Sequence, residues 1–172
     1  LSVAGNTFNP GSTVVFRLAA HRAGTANDFP SFSEIAVSMN APPSGGSLLA
    51  SRTVGSALTD VFTVTAAGWT DDSSDFPLTY QFAYRTVTSQ PALTIKSQSA
   101  SNRVSSTLPA GQLSLNYAVT LLCSIFDSFA ASEVASIAVT VNPTEDVDVA
   151  SYVSSALAAS LVTGNSDEAS QA

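Results

Sequence analysis

Three carboxylates close together in the chain, Asp71, Asp72 and Asp75, are the first residues whose type and spacing suggest chemistry. A hard cation such as calcium takes several oxygen ligands, and this trio would supply some of them. The spacing is not that of an EF-hand loop, and Ser73, Ser74 and Pro77 surround the acids, so an ordinary acidic turn without metal is the expectation. His21 is the only histidine. No Gly-x-Ser-x-Gly elbow accompanies the many serines, so a Ser-His-Asp hydrolase is not expected and His21 reads as a solvated loop residue. Cys123, the single cysteine, falls on the inward phase of a strand and reads as a small buried hydrophobe, not a reactive thiol. Trp69, the single tryptophan, reads as a ring at the edge of a core, with an exposed platform for sugars as the other reading. Arg17, Arg22, Arg52, Arg85, Lys96 and Arg103 are scattered and form no anion patch. No set of groups converges on a reaction, so neither an enzyme nor a cofactor is expected.

The elements that position these residues are strands. Phe62, Val64 and Ala66 alternate with threonines, and Leu78, Tyr80, Phe82 and Tyr84 alternate with smaller or polar residues. A period of two places each apolar set on one face of a strand. Between them lies an acidic connection that opens at Gly68 and closes at Pro77. Seven strands are expected over 46–51, 60–66, 78–85, 93–97, 103–107, 115–125 and 134–141, with Tyr117, Val119, Leu121, Cys123, Ile137, Val139 and Val141 pointing inward. This is the pattern of an all-β, immunoglobulin- or fibronectin-III-like sandwich.

Upstream, strands over 13–20 and 34–39 carry the apolar rows Val14, Phe16, Leu18 and Ile35, Val37, Met39. An offset of 102 residues relates Ile35 to Ile137 and Asn40 to Asn142, the length of one such sandwich. Residues 1–42 therefore read as the last strands of a preceding module, 43–143 as a complete one, and 144–172 as a helix and polar tail. In the helix Asp146 is the N-cap, Val149, Tyr152 or Val153, Ala156 or Leu157, and Leu161 recur on one face, and Gly164 and Asn165 end it. The opening at Leu1 reads as mid-domain, which predicts a piece of a longer array.

Pro42, Pro43, Ser44, Gly45, Gly46 and Ser47, then Gly55 to Thr59, Phe62, Gly68, Trp69, Asp71, Asp72 and Pro77 to Phe82 follow in a characteristic order. Leu108, Pro109, Ala110 and Gly111, and Asn142 with Pro143, continue it. The series resembles the REJ (receptor for egg jelly) module of the extracellular region of polycystin-1-like proteins. The resemblance implies fibronectin-III-like sandwiches, no active site, and Pro43, Gly46, Gly68, Trp69, Tyr80, Phe82, Gly111 and Tyr117 as structural residues. It also implies a cell-surface setting, usually on cilia or gametes. REJ modules often carry one cysteine after the Gly-Gly and another before the Gly-Trp. Here Leu48 or Leu49 and Ala66 or Ala67 stand near those places, and a core pair takes the disulfide's part. Pro109 to Gly111 ahead of Tyr117 resembles the corner of fibronectin-type folds, where the Tyr hydroxyl bonds back to the backbone.

The 172 residues are 45% hydrophobic and 11% charged, with net charge −7. Six basic residues against 13 acids argue against nucleic acid and against anionic membrane surfaces. The apolar runs 117–126 and 150–162 are too short or too rich in serine to span a bilayer, so no membrane contact by this segment is expected. The sequence thus predicts a structural or adhesive extracellular module whose partners are other protein modules or chains. The alternative is a ligand-binding module that recognises a glycan or protein through loops at the end of the sandwich.

Overall fold

The computed structural model describes residues 2–5, 7–20, 31–144, 153–155 and 157–158. They divide into two compact units, Leu1–Pro42 and Pro43–Ala172.

The first unit is built on one antiparallel pair, β1 (Thr13–Ala20) and β2 (Ser31–Ser38). Val14 faces Val37 and Phe16 faces Ile35, so the two predicted apolar rows share one face. The edge of the Phe8 ring meets Phe16 on that side, with centroids 6.1 Å apart. On the other face Arg17 pairs with Glu34 and lies over the Phe32 ring at 4.5 Å. β2 begins at Ser31, not at the predicted 34, because all eight residues of β1 find a partner, out to Ala20 opposite Ser31. Met39 lies just past the strand, and its N–H closes the pair on Ser12 O at 2.8 Å. His21 and Arg22 lie outside the described residues.

The second unit is an all-β sandwich. Its strands are β3 (Ser47–Ala50), β4 (Val54–Ser56), β5 (Phe62–Ala67), β6 (Thr79–Arg85), β7 (Leu93–Ser99), β8 (Arg103–Ser106), β9 (Ala118–Phe126) and β10 (Ser132–Asn142). One sheet runs β3-β5-β8 and the other β4-β10-β9-β6-β7. The strand absent from the sequence expectation is β4. It has three residues, one of them Gly55, and pairs in parallel with the end of β10, too short a stretch to show a period of two.

The sheets share one core. Phe62, Val64 and Ala66 of β5 bury alternately, as do Val119, Leu121, Cys123 and Ile125 of β9, with Phe82, Tyr84, Ile95, Val139 and Val141 filling the layer. Leu48 and Ala66, two of the residues standing near the family's cysteine positions, face each other directly across β3 and β5, and both are buried. Residues 153–155 and 157–158 are helical, while the predicted cap at Asp146 and stop at Gly164 lie outside the described residues. No helix among the described residues is long and apolar enough to cross a membrane.

Burial of one large side chain in such a layer contributes roughly 1.5–3 kcal/mol, and truncating it leaves a cavity besides. Phe82→Ala is expected to lower unfolding free energy by about 3–5 kcal/mol in denaturant titrations. Glu133→Ala, on an exposed position of β10, is expected to change it by less than about 0.5 kcal/mol.

Candidate functional site

The connection from β5 to β6 carries five of the residues that the sequence singles out: Gly68, Trp69, Asp71, Asp72 and Asp75. Gly68 turns the chain at φ +74°, a left-handed conformation that costs glycine little. Ser44 and Thr70 then bond to one another through both backbone N–H groups, at 2.9 and 3.0 Å. The Trp69 ring is half-buried against the core and lies on Gly46, where an added Cβ would come within 2.4 Å of three ring atoms. Its Nε1 is buried without a hydrogen-bond partner. Pro43 is fully buried, Phe82 lies in the core, and Tyr80 packs partly buried against it. Phe76–Pro77 is a cis peptide, after which the buried Leu78 leads into β6.

The acidic residues of this loop do not act as the trio read from the sequence. Asp72 is exposed, and its backbone serves the turn: its N–H donates to Asp71 Oδ1 and its carbonyl accepts from Asp75 N–H, both at 2.9 Å. Asp71 and Asp75 instead meet Asp127 of the β9–β10 turn, with one oxygen from each within 4.8 Å of the others. Asp75 and Asp127 are each only 5% exposed. The pairing of Thr79 with Phe126 brings the start of β6 beside the end of β9, and Ser128 N–H donates to Asp75 O at 2.9 Å. Asp127 Oδ1 accepts from Phe129 and Ala131 N–H at 2.9 and 2.8 Å, holding its own hairpin turn. Asp127 lies 52 positions beyond Asp75, so only strand pairing reveals the group.

A second close approach lies before β9. A Cβ on Gly111 would come within 2.2 Å of the Tyr117 carbonyl, so glycine alone fits. Gly111 N–H donates to Val141 O at 3.0 Å, and Val141 N–H donates to Tyr117 O at 2.9 Å. Tyr117 departs from the expectation. It is half-buried, precedes the strand, and sits with Asn116 in left-handed backbone at φ 56° and 52°. Its hydroxyl makes no hydrogen bond among the described residues. Two successive left-handed residues break the period of two, so the backbone closes this corner and the phenol does not.

The turn around Gly55 was legible only as part of the family series. The Phe62 ring lies against Gly55, 2.8 Å from where a Cβ would stand. Ser56 N–H donates to Asp60 Oδ2 at 2.8 Å, and with the Arg52 guanidinium it holds the Asp60 carboxyl below its usual range.

Cys123 is fully buried, and burial pushes its thiol up to about 12. Burial likewise raises the phenols of Tyr80 and Tyr84. The thiol is neutral at physiological pH and lacks the thiolate that nucleophilic chemistry requires.

Fold and site thus define a sandwich module whose singled-out residues serve turns and close backbone approaches. The REJ domain family model matches residues 1–172, and the chain belongs to that family. The match extends on both sides of the stretch from Pro42 to Pro143 that carries the motif series. REJ domains are non-catalytic extracellular modules of polycystin-like proteins. No curated protein matches the chain.

Two outcomes follow from this packing. Gly46→Ala must displace the Trp69 ring, so a loss of about 1–3 kcal/mol is expected, with a red shift of tryptophan emission. The raised thiol favours the fold below its unfolded value of 9.0 and ceases to do so as pH rises through about 12. Stability is therefore expected to decline between these pH values, less steeply in Cys123→Ala, as read from unfolding midpoints against pH.

Proposed function

We propose that the chain is a non-catalytic structural and adhesive module of a large polycystin-1-like protein at the cell surface or in an extracellular filament, in a ciliary or flagellar setting. The observation that carries this reading is the REJ match over residues 1–172. The strand order supports an immunoglobulin- or fibronectin-III-like identity for the second unit. Its first, third and sixth strands (β3, β5, β8) make one sheet, and the other holds β10, β9, β6 and β7 side by side.

Its partners on this reading are other protein modules or chains. Residues 1–42 are the closing strands of a preceding sandwich. Among the described residues of this unit no second layer covers the apolar row of the two-stranded sheet, and Leu18 and Ile35 are 77% and 63% exposed. An open groove of about 500 Å³ on the same unit is lined by Phe8, Phe16, Val37 and Met39 among others. The second reading, recognition of a glycan or protein by end loops, is favoured by one feature: Trp69, Asp71 and Asp75 share the β5–β6 loop.

Antibodies raised against residues 43–143 test the setting. Labelling of intact, unpermeabilised cells or of shed filaments is expected, whereas labelling only after permeabilisation would contradict it. Glycan-array binding that is lost in Trp69→Ala would favour recognition over the structural role. A peptide of residues 1–42 is expected to be unfolded or to aggregate, and a cooperative thermal transition from it would contradict the assignment of those strands.

A further inference from the structure

We propose that Asp71, Asp75 and Asp127 form a calcium site that ties the β5–β6 loop to the β9–β10 turn. The geometry fits a single ion. One oxygen of each carboxylate lies within 4.8 Å of the other two. Oxygen ligands at about 2.3–2.6 Å from calcium lie up to roughly 5 Å apart across the ion, so all three carboxylates reach one centre.

A second observation points to a ligand independently of the clustering. Asp71 Oδ2 is completely buried and has no hydrogen-bond partner, although it belongs to a carboxylate that meets two others. Asp75 is 5% exposed, with Ser74 Oγ donating to its Oδ1 at 2.6 Å. The ion pairs Arg17–Glu34 and Arg52–Asp60 lie elsewhere, and no Lys or Arg of the described residues pairs with Asp71 or Asp75. A buried carboxylate oxygen without donor or counter-charge is strongly disfavoured, and a divalent cation supplies what Asp71 Oδ2 lacks.

The donor set selects the ion. All three side chains offer hard oxygen and none offers nitrogen or sulfur, which excludes a zinc or copper preference. Calcium accepts irregular cages completed by water and backbone carbonyls, whereas magnesium demands a regular octahedron. The sequence hid this arrangement because Asp72, the middle acid of the visible trio, is exposed and takes no part, while Asp127 arrives from a distant turn.

Thermal unfolding of the full chain in EGTA and in rising calcium chloride tests the proposal. An ion that binds only the folded state raises the midpoint by mass action. A rise of several degrees at millimolar calcium is expected, reversed by EGTA, with a smaller rise from magnesium. Asp71→Asn, which keeps shape and removes charge, is expected to abolish the rise, and Asp72→Asn to retain it. Asp127→Asn also disturbs the hairpin turn that Oδ1 holds, so Asp71→Asn is the deciding variant. Calorimetric titration with calcium chloride is expected to show one site per chain, lost in Asp71→Asn. No calcium-dependent rise, a rise undiminished in Asp71→Asn, or an equal rise from magnesium would each overturn the assignment.

Discussion

The burial of one face each of β5, β6 and β9 in a shared layer is the constraint on which the second unit depends. Phe62, Val64, Phe82, Leu121 and Ile125 reach 2% exposure or less only if all three strands keep their register. A slip of one residue on β9 would replace Val119, Leu121, Cys123 and Ile125 with Thr120, Leu122, Ser124 and Phe126, putting a hydroxyl at two of the four inward places. Register in turn fixes every connection. With Thr79 opposite Phe126, the loop leaving β5 and the turn leaving β9 must lie side by side.

The glycines of the motif series mark places where that packing leaves no room. Gly46 lies under the Trp69 ring, Gly55 under the Phe62 ring and Gly111 against the Tyr117 carbonyl. Each would clash if it carried a methyl group. The residues that carry the family series therefore record close approaches within one sandwich, which is why they predict a fold so well and a reaction so poorly. A position occupied for packing needs no ligand to explain it.

Much of this was legible in the sequence because period two is a local signal. The alternations in 62–66, 78–84 and 119–125 led directly to strands and to their inward residues. Three features were not legible, each for a physical reason. β4 is three residues long and owes its existence to β10, more than eighty positions away. Tyr117 continues the apolar alternation on paper, yet two left-handed residues take it out of the strand before the alternation begins. Asp127 looks like any turn aspartate, and only the β6–β9 ladder sets it beside Asp75. Local patterns predicted elements, while non-local pairing decided which side chains meet.

Native-state hydrogen exchange on the full chain tests the central claim most directly, since it reads the stability of each strand separately. If the shared layer of β5, β6 and β9 holds the second unit together, the amides of Val64, Phe82 and Leu121 should exchange only through global unfolding and respond alike to denaturant. The amides of β1 and β2 should exchange sooner, with smaller opening free energies. Exchange of the β9 amides as fast as those of β2, or three different opening energies for Val64, Phe82 and Leu121, would contradict the account.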